Sequence, residues 1–128
     1  MEDKVKITYR GWPGHFICGD RCVFHLNSLL ECGDLKIVVS TVGMLKTENG
    51  NYDTIGCDRY YETMAFVAKR ENEFYDANVN KQLEIESRCC WGKLKDEWKA
   101  NKGHWKVIEE IKNKMLNGSI KIIGEDHE

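Results

Sequence analysis

The sequence predicts an α+β fold in which an antiparallel β meander is covered by a C-terminal α-helix. Three observations lead to this prediction. Apolar residues alternate with polar ones, or form β-branched runs, as far as Cys90. Glycine-containing turn signals separate these runs. After Cys90 the apolar spacing takes the period of a helix. We therefore expect a single domain over residues 1–128, with strands in 1–90 forming a twisted sheet or partial barrel, helices in 91–118 and a last strand in 119–123.

The first strands are predicted from alternation and from a repeated turn motif. Val5–Arg10 alternates as a half-buried strand does, and Pro13, the only proline, ends it. Cys-Gly-Asp then occurs twice between apolar segments, with Gly19-Asp20 in the first copy and Gly33-Asp34 in the second. Glycine provides the positive φ that a two-residue turn needs, so both copies predict hairpins.

The middle of the chain predicts further strands. Leu35–Val42 is rich in β-branched residues, and its apolar run indicates a central strand covered on both faces. Asn49-Gly50 predicts another hairpin. Tyr60–Lys69 has strand composition, although its Glu, Met and Ala residues leave a helix open. Leu83–Glu86 alternates again. Turns are expected around residues 72 and 78.

Three tryptophans dominate the C-terminal pattern. Trp91, Trp98 and Trp105 are seven residues apart, which places them on one face of a helix, and we expect this face to be buried against the sheet. The lysines between them are then a solvated face. Gly103 predicts a break between a short helix near 93–100 and a longer one over 102–117. Asn101 would be the N-cap of the second helix and Gly118 its C′ residue.

Charge and composition exclude some function classes. The 128 residues hold 19 Lys and Arg against 21 Asp and Glu, a net charge of −2. A basic nucleic-acid binder or an acidic DNA mimic would be far from neutral, so direct DNA binding is not expected. The charged start Met1–Lys4 and the lack of an 18-residue apolar run predict a cytoplasmic protein without a membrane segment.

The six cysteines are expected to be reduced. His15, Cys18, Cys22 and His25 have the residue types of a zinc site. In a hairpin, however, side chains alternate between faces, which would put two of the four on each side. We therefore expect no metal, and no motif predicts a cofactor. A Cys–His nucleophile pair on one face, Cys18 with His25 or Cys22 with His15, leaves a small enzyme as an alternative.

Two loops combine arginine with aromatic residues, the types that stack on nucleotides or anchor protein interfaces. One precedes the first hairpin and the other follows the Asn49-Gly50 turn. The structural alternative is that the aromatic residues are core and that the arginines pair with Asp58 or Glu62. The candidate binding residues are Arg10, Trp12, His15, Arg21, Asp58, Arg59, Tyr60 and Tyr61.

The segments Tyr9–Cys18, Ile37–Gly43 and Ile55–Phe66 resemble a family of small, uncharacterised proteins encoded by phages and prophages, and RGWPGHF at residues 10–16 is the most specific part. The resemblance implies that the chain is a small binding protein that counters bacterial immunity. A phage-encoded protein of this kind would act in the cytoplasm of the host cell. The leading hypothesis is an anti-CRISPR-like inhibitor that binds an effector protein. The second is a sponge for a cyclic or ADP-ribose-type signalling nucleotide, and the enzyme is the third. Homo-oligomerisation stays open.

Overall fold

The computed structural model describes residues 4–10, 22–55, 58–71 and 74–123. These residues form an open antiparallel sheet with one helix, α1 (Glu97–Asn117), packed on it, which confirms the predicted α+β class. Neighbouring strands follow the order β1-β2-β3-β5-β6, with β4 beside β3 and β7 beside β5. The strands are β1 (Lys6–Tyr9), β2 (Cys22–Cys32), β3 (Leu35–Lys46), β4 (Tyr52–Asp53), β5 (Tyr61–Glu71), β6 (Phe74–Gln82) and β7 (Cys90–Trp91).

The hairpins that lie in the described residues are confirmed. Gly33 turns β2 into β3 with φ +61°, and Gly50 turns β3 into β4 with φ +84°. Strand β3 lies between β2 and β5, and the side chains of Ile37–Val39 are fully buried, as expected of a central strand covered on both faces. The segment Tyr60–Lys69, which the sequence left open between strand and helix, forms strand β5 from Tyr61 onward. The hairpin predicted at Gly19-Asp20 lies outside the described residues.

One of the two turns predicted near β6 is wrong in its detail, and the other, around residue 72, lies outside the described residues. Asn78 was expected in a turn but lies inside β6, where the pairing register with β5 shifts between Phe66 and Ala68. The Asn78 side-chain oxygen accepts a hydrogen bond from the Asn80 amide at 3.2 Å. Asn78 therefore makes the side-chain hydrogen bond typical of a turn residue, but it does so at a bulge within a strand.

The last two predicted strands, over 83–86 and 119–123, are also shorter than expected. Leu83 forms an isolated bridge with Ile122, so neither 83–86 nor 119–123 is a full strand. Backbone amides of Glu84 and Ile123 extend the contact with hydrogen bonds of 2.8 and 2.7 Å. The chain thus returns to the sheet after α1, but over one residue pair.

The predicted break at Gly103 is wrong, because α1 runs through it after a 3-10 turn at Leu94–Asp96. Gly103 is buried against the ring of Trp91, and a Cβ atom there would lie 2.1 Å from Trp91 Cζ2. The glycine is needed for this close packing and does not end the helix. Asn101 is accordingly an exposed helical residue instead of an N-cap. Gly118 ends α1 at φ +75°, as predicted.

The helix covers one face of the sheet. Apolar and aromatic side chains form the core on this side, and the opposite sheet face carries a smaller cluster. The helix-side core includes Leu26, Leu30, Ile37, Val39, Tyr61, Ala65, Trp91, Val107, Ile108 and Ile111. The opposite cluster consists of Leu29, Val38, Phe66 and Ala77. Among the described residues, no helix combines the length and the apolar character that crossing a membrane requires.

A polar network lies buried between α1 and the sheet. The imidazole of His104 contacts Ser28 Oγ at 3.0 Å and Thr41 Oγ1 at 2.8 Å. Thr41 in turn bonds Thr63 through their hydroxyls at 2.6 Å. Burial lowers the pKa of His104 to about 4, because a charged imidazolium would lose its hydration there. His104 is therefore neutral at physiological pH, with hydroxyl partners at both ring nitrogens.

Candidate functional site

The three tryptophans do not share a buried face, which corrects the sequence prediction. Trp91 lies in β7 before the helix and is 3% exposed, whereas Trp98 is 63% and Trp105 42% exposed. The helix turns Ala100 and His104 toward the sheet, together with Val107 and Ile111. Trp98 lies two positions before Ala100, and Trp105 lies one position after His104. Both indoles are therefore rotated away from the sheet and toward solvent.

The exposed indoles belong to a larger aromatic surface. The Trp105 ring lies 5.8 Å from the ring of Tyr9, which is itself 49% exposed, and meets His104 edge-on at 5.2 Å. A groove of about 640 Å³ runs between Trp98 and Trp105 and is lined at its base by Phe24 of β2. We call Tyr9, Phe24, Trp98 and Trp105 the aromatic face.

A second groove borders Trp98 on the other side of α1. It has a volume of about 380 Å³ and lies between the helix and the segment that leads into β7. Trp91 and Gly103 line it together with cationic side chains. We call this the basic groove; its residues are Ser87, Arg88, Trp91, Trp98, Lys99, Lys102, Gly103 and Lys106.

The predicted site residue Arg10 ties strands together. Its Nε donates to Asn27 Oδ1 at 2.8 Å and its Nη1 to the carbonyl of Tyr75 in β6. Burial lowers the pKa of Arg10, although Asp76 and Glu31 act in the opposite direction. The guanidinium thereby connects the β1–β2 side of the sheet with β6.

The second predicted loop holds its arginine against carboxylates. Arg59 Nε donates to Glu62 Oε1 at 2.8 Å, and Asp58 lies 3.6 Å from Nη1. The hydrogen bond to Glu62 is the main reason that the pKa of Arg59 is raised. Tyr60 is half-buried against the cluster around Trp91. These contacts match the structural alternative, in which the arginine of this loop pairs with Asp58 or Glu62 and the aromatic residue belongs to the core.

Tyr61, the last predicted residue of this loop, is fully buried. Its hydroxyl donates to the Leu94 carbonyl at 2.6 Å, and its ring meets Phe24 edge-on at 5.1 Å. Burial raises the pKa of Tyr61 to about 12. The side chain therefore joins β5 to the turn before α1 and belongs to the core.

Arg10 and Arg59 are held on one face of the sheet. Tyr9, the last residue of β1, pairs with Ser28 in the middle of β2, whereas β5 begins at Tyr61, beside Gly43 and close to the start of β2. Side chains alternate along a strand, and Ser28 and Thr63 contact the helix-side network, so Asn27 and Glu62 point to the opposite face. These are the residues that hold Arg10 and Arg59. Trp12, His15 and Arg21 lie outside the described residues.

Only part of the predicted cysteine and histidine cluster lies in the described residues. Within the described residues no group of three or more His, Cys, Asp or Glu side chains is arranged to hold a metal, and His15 and Cys18 of the zinc-like pattern lie outside them. Each predicted Cys–His pair also includes one of these two residues. The His25 ring contacts the Cys22 carbonyl. Burial and neighbouring Cys89 raise the pKa of Cys90 to about 11, which makes it a poor nucleophile at neutral pH.

Sequence reasoning assigned the tryptophans to the core and the lysines to a solvated face, so it identified neither surface on α1 as a site. The available signal was the lysines that accompany the tryptophans, since aromatic and cationic side chains side by side are typical of binding surfaces. Comparison with protein-family models, curated proteins and solved structures finds no match to this chain. Its function is therefore inferred from the side chains themselves.

Proposed function

We propose that this chain is a stoichiometric binding protein of the phage type that inhibits a bacterial defence system, with a CRISPR-type effector protein as its partner. The observation that carries the proposal is the aromatic face, in which Trp98 and Trp105 are exposed about two turns apart on the same side of one helix. Exposed tryptophans on a rigid element are the residues that dominate the binding energy of protein interfaces.

The aromatic face has the construction of an interface hot spot. Its helix is fixed to the sheet by buried residues, so little conformational entropy is lost when a partner binds. Tyr9 extends the face from α1 onto β1 through its contact with Trp105. Phe24 lies at the base of the groove between the indoles, where a partner side chain would be removed from water. Lys95 and Glu97 form a polar rim.

The biological context comes from the sequence resemblance to small phage proteins. Such proteins commonly act by binding, and an exposed aromatic face supports binding without chemistry. The nucleotide-sponge alternative involves Arg10 and Arg59 at the other sheet face. In the described structure both guanidinium groups already have protein partners, which favours the protein-binding version.

A phage-challenge assay tests the proposal. Bacteria that carry a CRISPR-type effector programmed against a phage would express the chain or its Trp98→Ala/Trp105→Ala variant. The wild-type chain should restore phage growth, and the double variant should lose this effect while remaining folded. Leu116→Ala is the matched control, because Leu116 is an exposed apolar residue of the same helix outside the aromatic face.

Two outcomes would contradict the proposal. Equal phage growth with the double variant and the wild-type chain would exclude the aromatic face as the binding surface. A nucleotide recovered from heat-denatured protein, together with restored growth by the double variant, would favour the sponge.

A further inference from the structure

We infer that the basic groove is a nucleotide-binding site, in which a base stacks on Trp98 and phosphate groups bind the cations of α1 and Arg88. This inference goes beyond the proposed function, because it concerns a different groove and a different ligand class, although Trp98 and Lys102 border both grooves.

The shape of the groove suits a small ligand. Its volume of about 380 Å³ lies in the range of ordinary ligand pockets. The groove is bounded by the segment at Ser87 and Arg88 on one side and by α1 on the other. Gly103 has no side chain, so the helix approaches the Trp91 ring closely and leaves an apolar floor between the two walls.

The charge of the groove is one-sided. Four of its lining side chains are cationic and none is a carboxylate. Asp96 lies 3.6 Å from Lys99 and neutralises part of that charge, but in the described part of the chain Lys102 and Lys106 form no ion pair with a carboxylate. A whole chain of charge −2 thus has a local cationic concentration, which attracts phosphate.

The cations are arranged along one line. Lys99, Lys102 and Lys106 are three and four residues apart, so they follow one side of α1. Arg88 stands on the facing wall, where its Nε donates to the Cys90 carbonyl at 2.9 Å. This hydrogen bond orients the guanidinium before any ligand binds, which reduces the entropy lost on binding.

The indole specifies a ligand with a planar ring. The Trp98 side chain is mostly exposed at the rim, and Lys99 Nζ lies 5.8 Å from its ring centre. A base that stacks on this indole would therefore have its phosphate within reach of the lysines. Aromatic stacking beside cations is the pattern by which proteins bind nucleotide units, whereas an acidic peptide would use the cations without the indole.

Isothermal titration calorimetry of the purified chain tests the inference. The probes are ATP, a cyclic dinucleotide, a five-residue oligouridylate and inorganic triphosphate. We expect at least one nucleotide probe to bind at least tenfold more tightly than inorganic triphosphate, because the triphosphate lacks a base. Tighter binding of oligouridylate than of free nucleotides would assign the site to single strands, and the reverse would assign it to free nucleotides.

Paired variants locate the site. Lys102→Ala/Lys106→Ala should weaken nucleotide binding at least tenfold, and Trp98→Ala should remove the preference for nucleotides over triphosphate. Lys81→Ala/Lys121→Ala removes the same charge from exposed positions outside the groove and should leave binding unchanged.

The inference would be overturned if no nucleotide probe gives saturable binding at millimolar concentration, if triphosphate binds as tightly as the nucleotides, or if the groove variants bind like the wild-type chain. Failure here is distinguishable from failure of the proposed function, because this titration contains no protein partner and because Lys106, unlike Trp98 and Lys102, lines only the basic groove.

Discussion

His104 shows how one buried side chain makes the fold sensitive to pH. The ring lies under α1 with the Ser28 and Thr41 hydroxyls as its hydrogen-bond partners. These hydroxyls satisfy a neutral imidazole, but they provide no negative charge for an imidazolium. The folded protein therefore resists protonation of His104, whereas the unfolded chain accepts a proton at the ordinary pKa of 6.5.

The sign of the resulting pH effect follows from this difference. Because the folded pKa is lowered to about 4, the stability is fully present above pH 6.5 and is lost as pH falls toward 4. We expect the free energy of unfolding to decrease by about 2 kcal/mol between pH 7.5 and pH 5 from this group alone. Urea unfolding at several pH values measures it. His104→Gln should flatten the profile, and parallel profiles for the two proteins would refute the assignment.

Glu110 attaches the segment before β7 to the helix. Its carboxylate accepts hydrogen bonds from the amides of Glu86 and Ser87 at 2.7 and 2.9 Å, and Lys114 Nζ lies 2.9 Å away. Burial opposes ionisation, but these hydrogen bonds and one from the Ser87 hydroxyl outweigh it and lower the pKa of Glu110 to about 2. This contribution is present above pH 4.5 and is lost as pH falls toward 2.

Glu110→Gln should therefore reduce stability by roughly 1–3 kcal/mol, because an amide has only one oxygen to accept what two carboxylate oxygens accept. Amide hydrogen exchange at Glu86 and Ser87 should accelerate together with the loss of stability. The neighbouring exposed Glu109→Gln is the control and should change neither. Equal stability of the two variants would show that the segment is held by other contacts.

At the scale of the element, α1 is continuous because of a contact with a neighbouring strand. Glycine inside a helix usually lowers stability relative to alanine by about 0.5–1 kcal/mol. At Gly103 the order should reverse, since an alanine Cβ would lie 2.1 and 2.4 Å from two atoms of the Trp91 ring. Gly103→Ala should reduce the free energy of unfolding by about 1–3 kcal/mol.

Thermal unfolding of matched variants measures this effect. Asn101→Ala, at an exposed position of the same helix, should leave the protein unchanged or slightly more stable. A more stable Gly103→Ala variant would mean that Trp91 does not pack against the helix as described.

Truncation of Trp105 should cost less stability than its seven-residue spacing suggests, because the side chain is partly exposed. A fully buried tryptophan costs about 3–5 kcal/mol when it is truncated to alanine. With the side chain 42% exposed and in contact with Tyr9 and His104, Trp105→Ala should cost about 1–2 kcal/mol and leave the chain folded. Urea unfolding distinguishes the two values, and a loss above about 3 kcal/mol would return Trp105 to the core.

The elements that could be predicted are those determined by neighbouring residues. Gly33 and Gly50 specify their turns locally, and the apolar run of β3 indicates a buried strand whatever lies around it. The course of α1 could not be predicted, because Gly103 gives the same signal at a helix break and at a close contact. The ring that distinguishes them belongs to β7, and its position depends on the whole sheet.

At the scale of the molecule, the candidate surfaces could not be predicted because they depend on how α1 is rotated over the sheet. Seven-residue spacing puts Trp98 and Trp105 on one side of a helix, but it does not say whether that side is inward. His104 and Ala100 take the inward positions, where His104 joins the polar network and Ala100 packs in the same cluster as Tyr61.

The central claim is that the aromatic face inhibits a defence effector by binding, and inhibition of a purified CRISPR-type effector tests it most directly. With the effector well above the dissociation constant, target cleavage should fall linearly as the chain is added and stop at a fixed molar ratio. Trp98→Ala/Trp105→Ala should raise the dissociation constant by about three orders of magnitude, as expected when two hot spots of about 2 kcal/mol each are lost, and half-inhibition should then need the chain in large excess over the effector. Complete inactivation by a small fraction of one equivalent would indicate an enzyme, and equal inhibition by the double variant would contradict the account.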